Sequence, residues 1–158
     1  MKSIPLKYIK LTIIILIFIS TILVSCVHKG EQDTMLQFAD CPDSPNCVSS
    51  LADQEDAEHY IQPYKLKLST EKAFPRLVEY LESRSDVKIL KREEGVYIHA
   101  VFISKIMRFK DDVEFRFKSG ASAGSVIDIR SASRVGHSDF GANRSRMEEI
   151  REYFDGLQ

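Results

Sequence analysis

The chain has 158 residues, 44% of them hydrophobic and 28% charged, with 22 Lys and Arg against 23 Asp and Glu. That length suits one domain, and an ordinary globular composition excludes a disordered or low-complexity chain. A net charge of −1 with no block of like charge argues against nucleic acid and against anionic lipid headgroups as partners.

The N-terminus reads in three parts. Lys2, Lys7 and Lys10 make a positive segment, and Leu11 to Val24 is an uncharged aliphatic run of 14 residues. A secretory signal core runs about 7–15 residues and a membrane-spanning helix about 20, so the run is short for a permanent span. Leu23-Val24-Ser25-Cys26 closes it and resembles the lipobox of bacterial lipoprotein signals. Residues 1–25 are then a signal peptide, and Cys26 becomes the lipid-bearing N-terminus: its nucleophilic thiol receives a diacylglycerol, and the amine freed by cleavage is acylated by a palmitate-type chain. The rival is an uncleaved anchor with an incidental cysteine. Val27 stands where an Asp would favour inner-membrane retention, which points to the outer membrane of a Gram-negative cell; a Gram-positive host stays open. Removing 25 residues leaves 133, with 19 basic and 23 acidic side chains.

Residues 26–40 carry no clear period and read as a lipidated tether before one domain over 41–158. Cys41 and Cys47 follow in Cys-Pro-Asp-Ser-Pro-Asn-Cys. Outside the cytoplasm two such thiols form a disulfide, with Pro42 and Pro45 favouring the turn that brings them together. Free thiols, a redox pair and a metal pair are the alternatives. Zinc wants four ligands, and only the scattered His28, His59, His99 and His137 are on offer, so no metal and no cofactor is implied.

Tyr60 to Leu68 alternates partly, with Pro63 suggesting an edge strand. Ser69 or Thr70 starts a helix with the stripe Phe74, Leu77, Val78, Leu81 and with Pro75 in its early turns. Val87, Ile89 and Leu90 open a second strand that ends at Glu93-Glu94-Gly95. Val96 to Ser104 is β-branched and apolar on both faces, as in a buried strand. Met107 and Phe109 are expected to cap the core, with an exposed apolar lip as the alternative. Asp112 to Lys118 alternates cleanly, placing Val113, Phe115 and Phe117 on one side. After a Gly/Ser/Ala turn, Val126 to Ser133 is the fifth strand, and Met147, Ile150, Phe154 and Leu157 mark a C-terminal helix. The order β-α-β-β-β-β-α predicts an α+β fold: an antiparallel sheet of about five strands with two helices on one face.

Two polar segments fit this scheme poorly. One is Ser44-Pro45-Asn46-Cys47-Val48-Ser49-Ser50; the other runs from Arg130 through Ser131, Ser133, Arg134, His137, Asp139 and Asn143 to Arg144. Arg130 and Arg134 share a strand face, and Asp139 can cap the helix that Arg144 enters. Three guanidinium groups beside a helix N-terminus would bind an anion. Cross-strand pairing with Asp111, Asp112, Glu114 or Asp128 is the alternative use of the same arginines.

Ser-Pro-Asn-Cys-Val-Ser-Ser, then Met107 to Arg116, then Ile129 to Arg144 resemble the three signature blocks of domain-of-unknown-function family 1499, over about residues 41–155. The resemblance implies a bacterial envelope or plastid protein, often with a signal or membrane segment, and carries no catalytic residue across. A non-enzymatic envelope module is therefore expected, binding a small anionic or lipidic ligand or an envelope protein through Asn46, Arg130, Ser131, Ser133, Arg134, Asp139, Asn143 and Arg144. The competing reading is a hydrolase- or transferase-like enzyme using Ser131 or Ser133, His137 and Asp139, but residues so close in sequence rarely converge as a triad.

Overall fold

A computed structural model describes residues 37–157. The predicted signal peptide, Cys26 and most of the tether lie outside the described residues. In chain order the elements are β1 (Cys47–Ser49), β2 (Tyr64–Leu66), α1 (Thr70–Glu82), β3 (Val87–Glu93), β4 (Tyr97–Ile103), β5 (Lys110–Ser119), β6 (Ser125–Ser133) and α2 (Ala142–Asp155).

Strict alternation organises the sheet around β5. Val113, Phe115 and Phe117 are buried on one side, and Ile98 and Ala100 of β4 stand opposite Phe115 and Val113 in register. On β6, Ile129 and Ile127 stand opposite Phe115 and Phe117. The helices cover this face with their own stripes: Ala73, Phe74, Leu77, Val78 and Leu81 from α1, and Met147, Ile150 and Phe154 from α2. All pairs are antiparallel, in the order β1-β6-β5-β4-β3, so the architecture is a two-layer α+β fold. Pro75 sits inside α1, where its missing N–H removes one helical hydrogen bond without ending the helix.

The sheet has six strands, one more than the period predicts. The extra one is β1, which lies in the Ser-Pro-Asn-Cys block that reads as a loop. It shares an edge of β6 with β2: β1 pairs Arg130 to Ala132, and β2 pairs Ser125 to Ile127. A three-residue strand cannot show a period, and its proline-rich approach masks it. Hydrogen bonds continue past its end. Ser50 N–H donates to the Ile129 carbonyl at 2.9 Å, and the Ser50 hydroxyl accepts the Ile129 N–H at 2.9 Å. The strand read over Tyr60 to Leu68 contracts to Tyr64–Leu66. Tyr64 is fully buried, and its hydroxyl donates to the Met147 carbonyl at 2.6 Å, tying β2 to α2. Between β5 and β6, Gly124 lies so close to the Leu66 carbonyl oxygen that an added methyl would overlap it.

Leu90, Met107 and Phe109 are exposed, and for Met107 and Phe109 this changes the assignment. Leu90 is nearly half exposed, and the register shift between Ile89 and Lys91 leaves it without a partner position on β4. Met107 and Phe109 do not cap the core. They stand at the β4–β5 loop, exposed to 67% and 49%.

Candidate functional site

The polar blocks meet at one end of the sheet, where β6 leaves, β5 begins and α2 starts. Register places Asp111 opposite Ser133 and Val113 opposite Ser131, so Asp111, Ser131 and Ser133 all face α2. Asn143, in the first turn of α2, descends among them and is fully buried. Its Oδ1 accepts from the Ser131 hydroxyl at 2.6 Å and from the Arg146 guanidinium at 2.6 Å. Its Nδ2 donates to the Asn46 carbonyl at 2.9 Å and to Ser133 Oγ at 3.0 Å. Both functional atoms of the amide are thereby satisfied twice, as a buried amide requires.

Arg146 closes the network. It donates to Ser131 Oγ at 2.9 Å and to Asp111 Oδ2 at 2.5 Å, and its guanidinium stacks over Phe102 at 4.8 Å. Asn46 adds the third segment. Its carbonyl also accepts the Ser133 N–H at 2.9 Å, its Nδ2 donates to the Gly136 carbonyl, and its Oδ1 accepts from Ser44 at 3.0 Å. Cys41 and Cys47 are joined as a disulfide across this same turn, with Cα atoms 5.6 Å apart. Arg146 and Asp111 escape sequence reading as members of this cluster. The available signal is local: Arg146 lies three residues after Asn143 on one helix face, and Asp111 follows from the β5–β6 register.

The three candidate arginines do not gather. Arg130 donates to Glu114 at 3.1 Å on the opposite face of the sheet. Arg134 forms a two-pronged pair with Asp112, both contacts at 2.8 Å. Arg144 reaches across to the carbonyls of Glu58 and Tyr60 at 3.1 and 2.8 Å, fastening the 57–60 loop to α2. Asp139 caps from a position different from the one expected. Gly141 is the N-cap, in the left-handed region at φ +81°, and the Asp139 carboxylate accepts the N–H groups of Gly141 and Asn143 at 2.9 and 2.7 Å. The cast proposed for catalysis is likewise engaged: Ser131 is fully buried on Asn143, and Asp139 caps the helix.

The helix-free face is ionic. Arg116 and Lys118 both hold the buried Asp128, at 2.8 and 2.6 Å, and the Tyr97 hydroxyl donates to Glu114 at 2.6 Å. Burial and the neighbouring Glu114 carboxylate push the Tyr97 phenol well above its usual range. Phe38 lies over the Arg116 guanidinium at 5.6 Å, so the chain comes in across this face before the disulfide. Asp112 accepts from both Arg134 and His99, and Arg134 first, then His99, hold its carboxyl below the ordinary value.

A pH profile follows with two limbs. A lowered carboxyl stabilises the fold above its unfolded value near 3.8 and loses that contribution as pH falls through the folded value. Stability should drop below about pH 4, and Asp112→Asn should flatten that limb in urea titrations. His59 moves the other way: its bond to Asp56 at 2.7 Å raises it above 6.5, so its contribution is full below that value and fades as pH rises through the folded value. An unchanged midpoint across both windows would contradict these assignments.

Fold and network together define a small two-layer α+β domain in which three chain segments meet in one buried polar cluster. The family described as Protein of unknown function (DUF1499) matches residues 37–154, and the chain belongs to it. No curated protein matches the chain. Asn46, Asp111, Ser131, Ser133 and Asn143 all fall within the matched segment.

Proposed function

We propose that the chain is a lipid-anchored module of the bacterial envelope that works by binding and assembly. The observation that carries this reading is one rim of the domain. Ile106, Met107 and Phe109 from the β4–β5 loop and Val135 and Phe140 from the β6–α2 loop are exposed, Ile106 to 89% and Phe140 to 99%. Exposed apolar clusters of this kind mark contact surfaces. The polar cluster behind the rim supports it as a frame: Asn46 holds Gly136, and Asn143 is fixed to Ser133 and Asp139. Ser131, Ser133, Arg134, Asp139 and Asn143 then serve binding by positioning this rim, while Arg144 fastens the 57–60 loop beside it.

Anchoring is read from Leu23-Val24-Ser25-Cys26. Intact mass spectrometry of the full chain recovered from bacterial membranes should show residues 1–25 gone and a diacylglycerol on Cys26. The Cys26→Ala variant should keep its leader and carry no lipid. A lipid-free mass at full length from the unaltered chain would overturn the anchor. Native mass spectra of the same preparation would show the bound partner or ligand. Bare protein under mild conditions would count against tight small-molecule binding.

A further inference from the structure

The rim combines features that single out its occupant. β4 ends at Ile103 beside Lys110, and Ser133 at the end of β6 stands opposite Asp111, so the 104–109 and 134–141 loops project from the same end of the sheet. The backbone joins them, with Arg134 N–H on the Lys110 carbonyl at 3.1 Å. Both loops are held in shape. Ser104 and Phe109 bond each other through Ser104 N–H to the Phe109 carbonyl and Phe109 N–H to Ser104 Oγ, both at 2.9 Å. The Phe140 N–H donates to Ser138 Oγ at 3.2 Å. Arg108 and Phe140 sit at φ +57° and +54°, a left-handed conformation that side-chain-bearing residues rarely adopt. A fully exposed phenylalanine on a strained, hydrogen-bonded loop is presented outward by the fold.

Charge completes the pattern. Lys105, Arg108 and Lys110 interleave with Ile106, Met107 and Phe109 in one short stretch. The acids nearby are engaged: Asp111 by Arg146, Asp112 by Arg134, Asp86 by Arg84, and Asp139 by the N–H groups of Gly141 and Asn143. The tip is therefore locally basic although the whole chain is not, which neither the net charge nor the lack of a like-charge block reveals. Apolar side chains on convex loop tips, ringed by cations, suit the interface of an anionic bilayer. A flat protein interface would bury a continuous patch of standard size, which two narrow loops do not offer.

We propose that this tip inserts Ile106, Met107, Phe109 and Phe140 into the headgroup region of an anionic bilayer while Lys105, Arg108 and Lys110 contact lipid phosphates. This contact sets the orientation of the domain on the membrane. It rests on the anchored reading above, and chain length permits it. Twelve Cα-to-Cα steps lead from Cys26 to Phe38, at most about 40 Å extended, and about 20 Å of β5 separates Arg116 from Lys110.

The full chain, recovered from bacterial membranes, is mixed with vesicles of phosphatidylcholine alone or with about one third phosphatidylglycerol. Flotation and amide hydrogen exchange are then read. With the anionic vesicles, exchange should slow in 104–110 and 134–141 and stay unchanged in α1. Ile106→Ser with Phe140→Ser, both at exposed positions, should abolish that protection. In high salt the protection should weaken. A chain that floats on both vesicles with both loops unprotected keeps its anchor and overturns the tip. Flotation on anionic vesicles only, lost in the double variant, supports the tip while the anchor fails. Protection seen in native membranes but on neither vesicle assigns the tip to a protein partner and overturns the lipid assignment.

Discussion

Asn143→Ala should lower unfolding stability by about 3 kcal/mol, a large fraction of what a domain of this size possesses. The amide is fully buried and makes four side-chain hydrogen bonds, to Ser131, Arg146, Asn46 and Ser133. Alanine leaves the Ser131 hydroxyl and one Arg146 N–H short of a partner in a site without room to rearrange, and each such loss costs about 1–3 kcal/mol. Asn46 keeps its carbonyl bond from the Ser133 N–H, which limits the damage on that side. Asn143→Asp separates the two halves of the amide. A carboxylate still accepts from Ser131 and Arg146 but cannot donate to Asn46 or Ser133, so its midpoint should fall between those of the other two proteins. Urea titration followed by circular dichroism reads this order. A shift below about 1 kcal/mol for the alanine variant would mean that the cluster is peripheral to the fold.

The second large effect lies in the middle of the sheet. Phe115→Ala should cost about 4 kcal/mol, because a fully buried phenylalanine at the centre of β5 leaves a cavity between sheet and helices. Phe140→Ala, at 99% exposure, should change stability by no more than about 0.5 kcal/mol. The pair is informative because both are phenylalanines in family blocks. If the two variants proved equally destabilising, the assignment of Phe140 to a contact surface would fall.

That contrast also shows how far the sequence could be read. Phe115 is legible as core because Asp112 to Lys118 alternates, and alternation is the signature of a strand with one face covered. The α1 stripe and the β6 alternation are legible for the same reason. Ile106, Met107 and Phe109 carry no such information. Three apolar residues in six, between two strands, fit a folded-back cap as well as an outward lip, and only the turn at Arg108 decides. β1 is hidden by its length, since three residues define no period, and its partner is 80 or so positions away on β6.

The arginine-rich block illustrates a different limit. The residues that matter are visible in the sequence, but their partners are not. Arg130 has Glu114, Asp112 and Asp128 as acidic candidates on neighbouring positions of one face, and register alone selects Glu114. Among the described residues Arg144 pairs with no acid. It binds the backbone carbonyls of Ala57, Glu58 and Tyr60, groups that every residue owns and that no motif advertises. Charged residues thus announce a polar cluster from the sequence, while the division between open site and internal fastening is a property of the register.

The Cys41–Cys47 bond has a mechanical consequence. Cys47 is the first residue of β1, so tension arriving along the chain from Phe38 crosses the disulfide and enters the sheet directly at the β1–β6 ladder. The turn at 42–46 sits on a side branch of that load path. Asn46 and its bonds to Ser133, Asn143 and Gly136 are therefore shielded from a pull applied at Phe38, and the rim they support keeps its shape while the strand edge bears the strain. Reduction of the bond would reroute the same pull through Asn46. For any pull applied at the N-terminal side of Phe38, that makes the disulfide a strain relief.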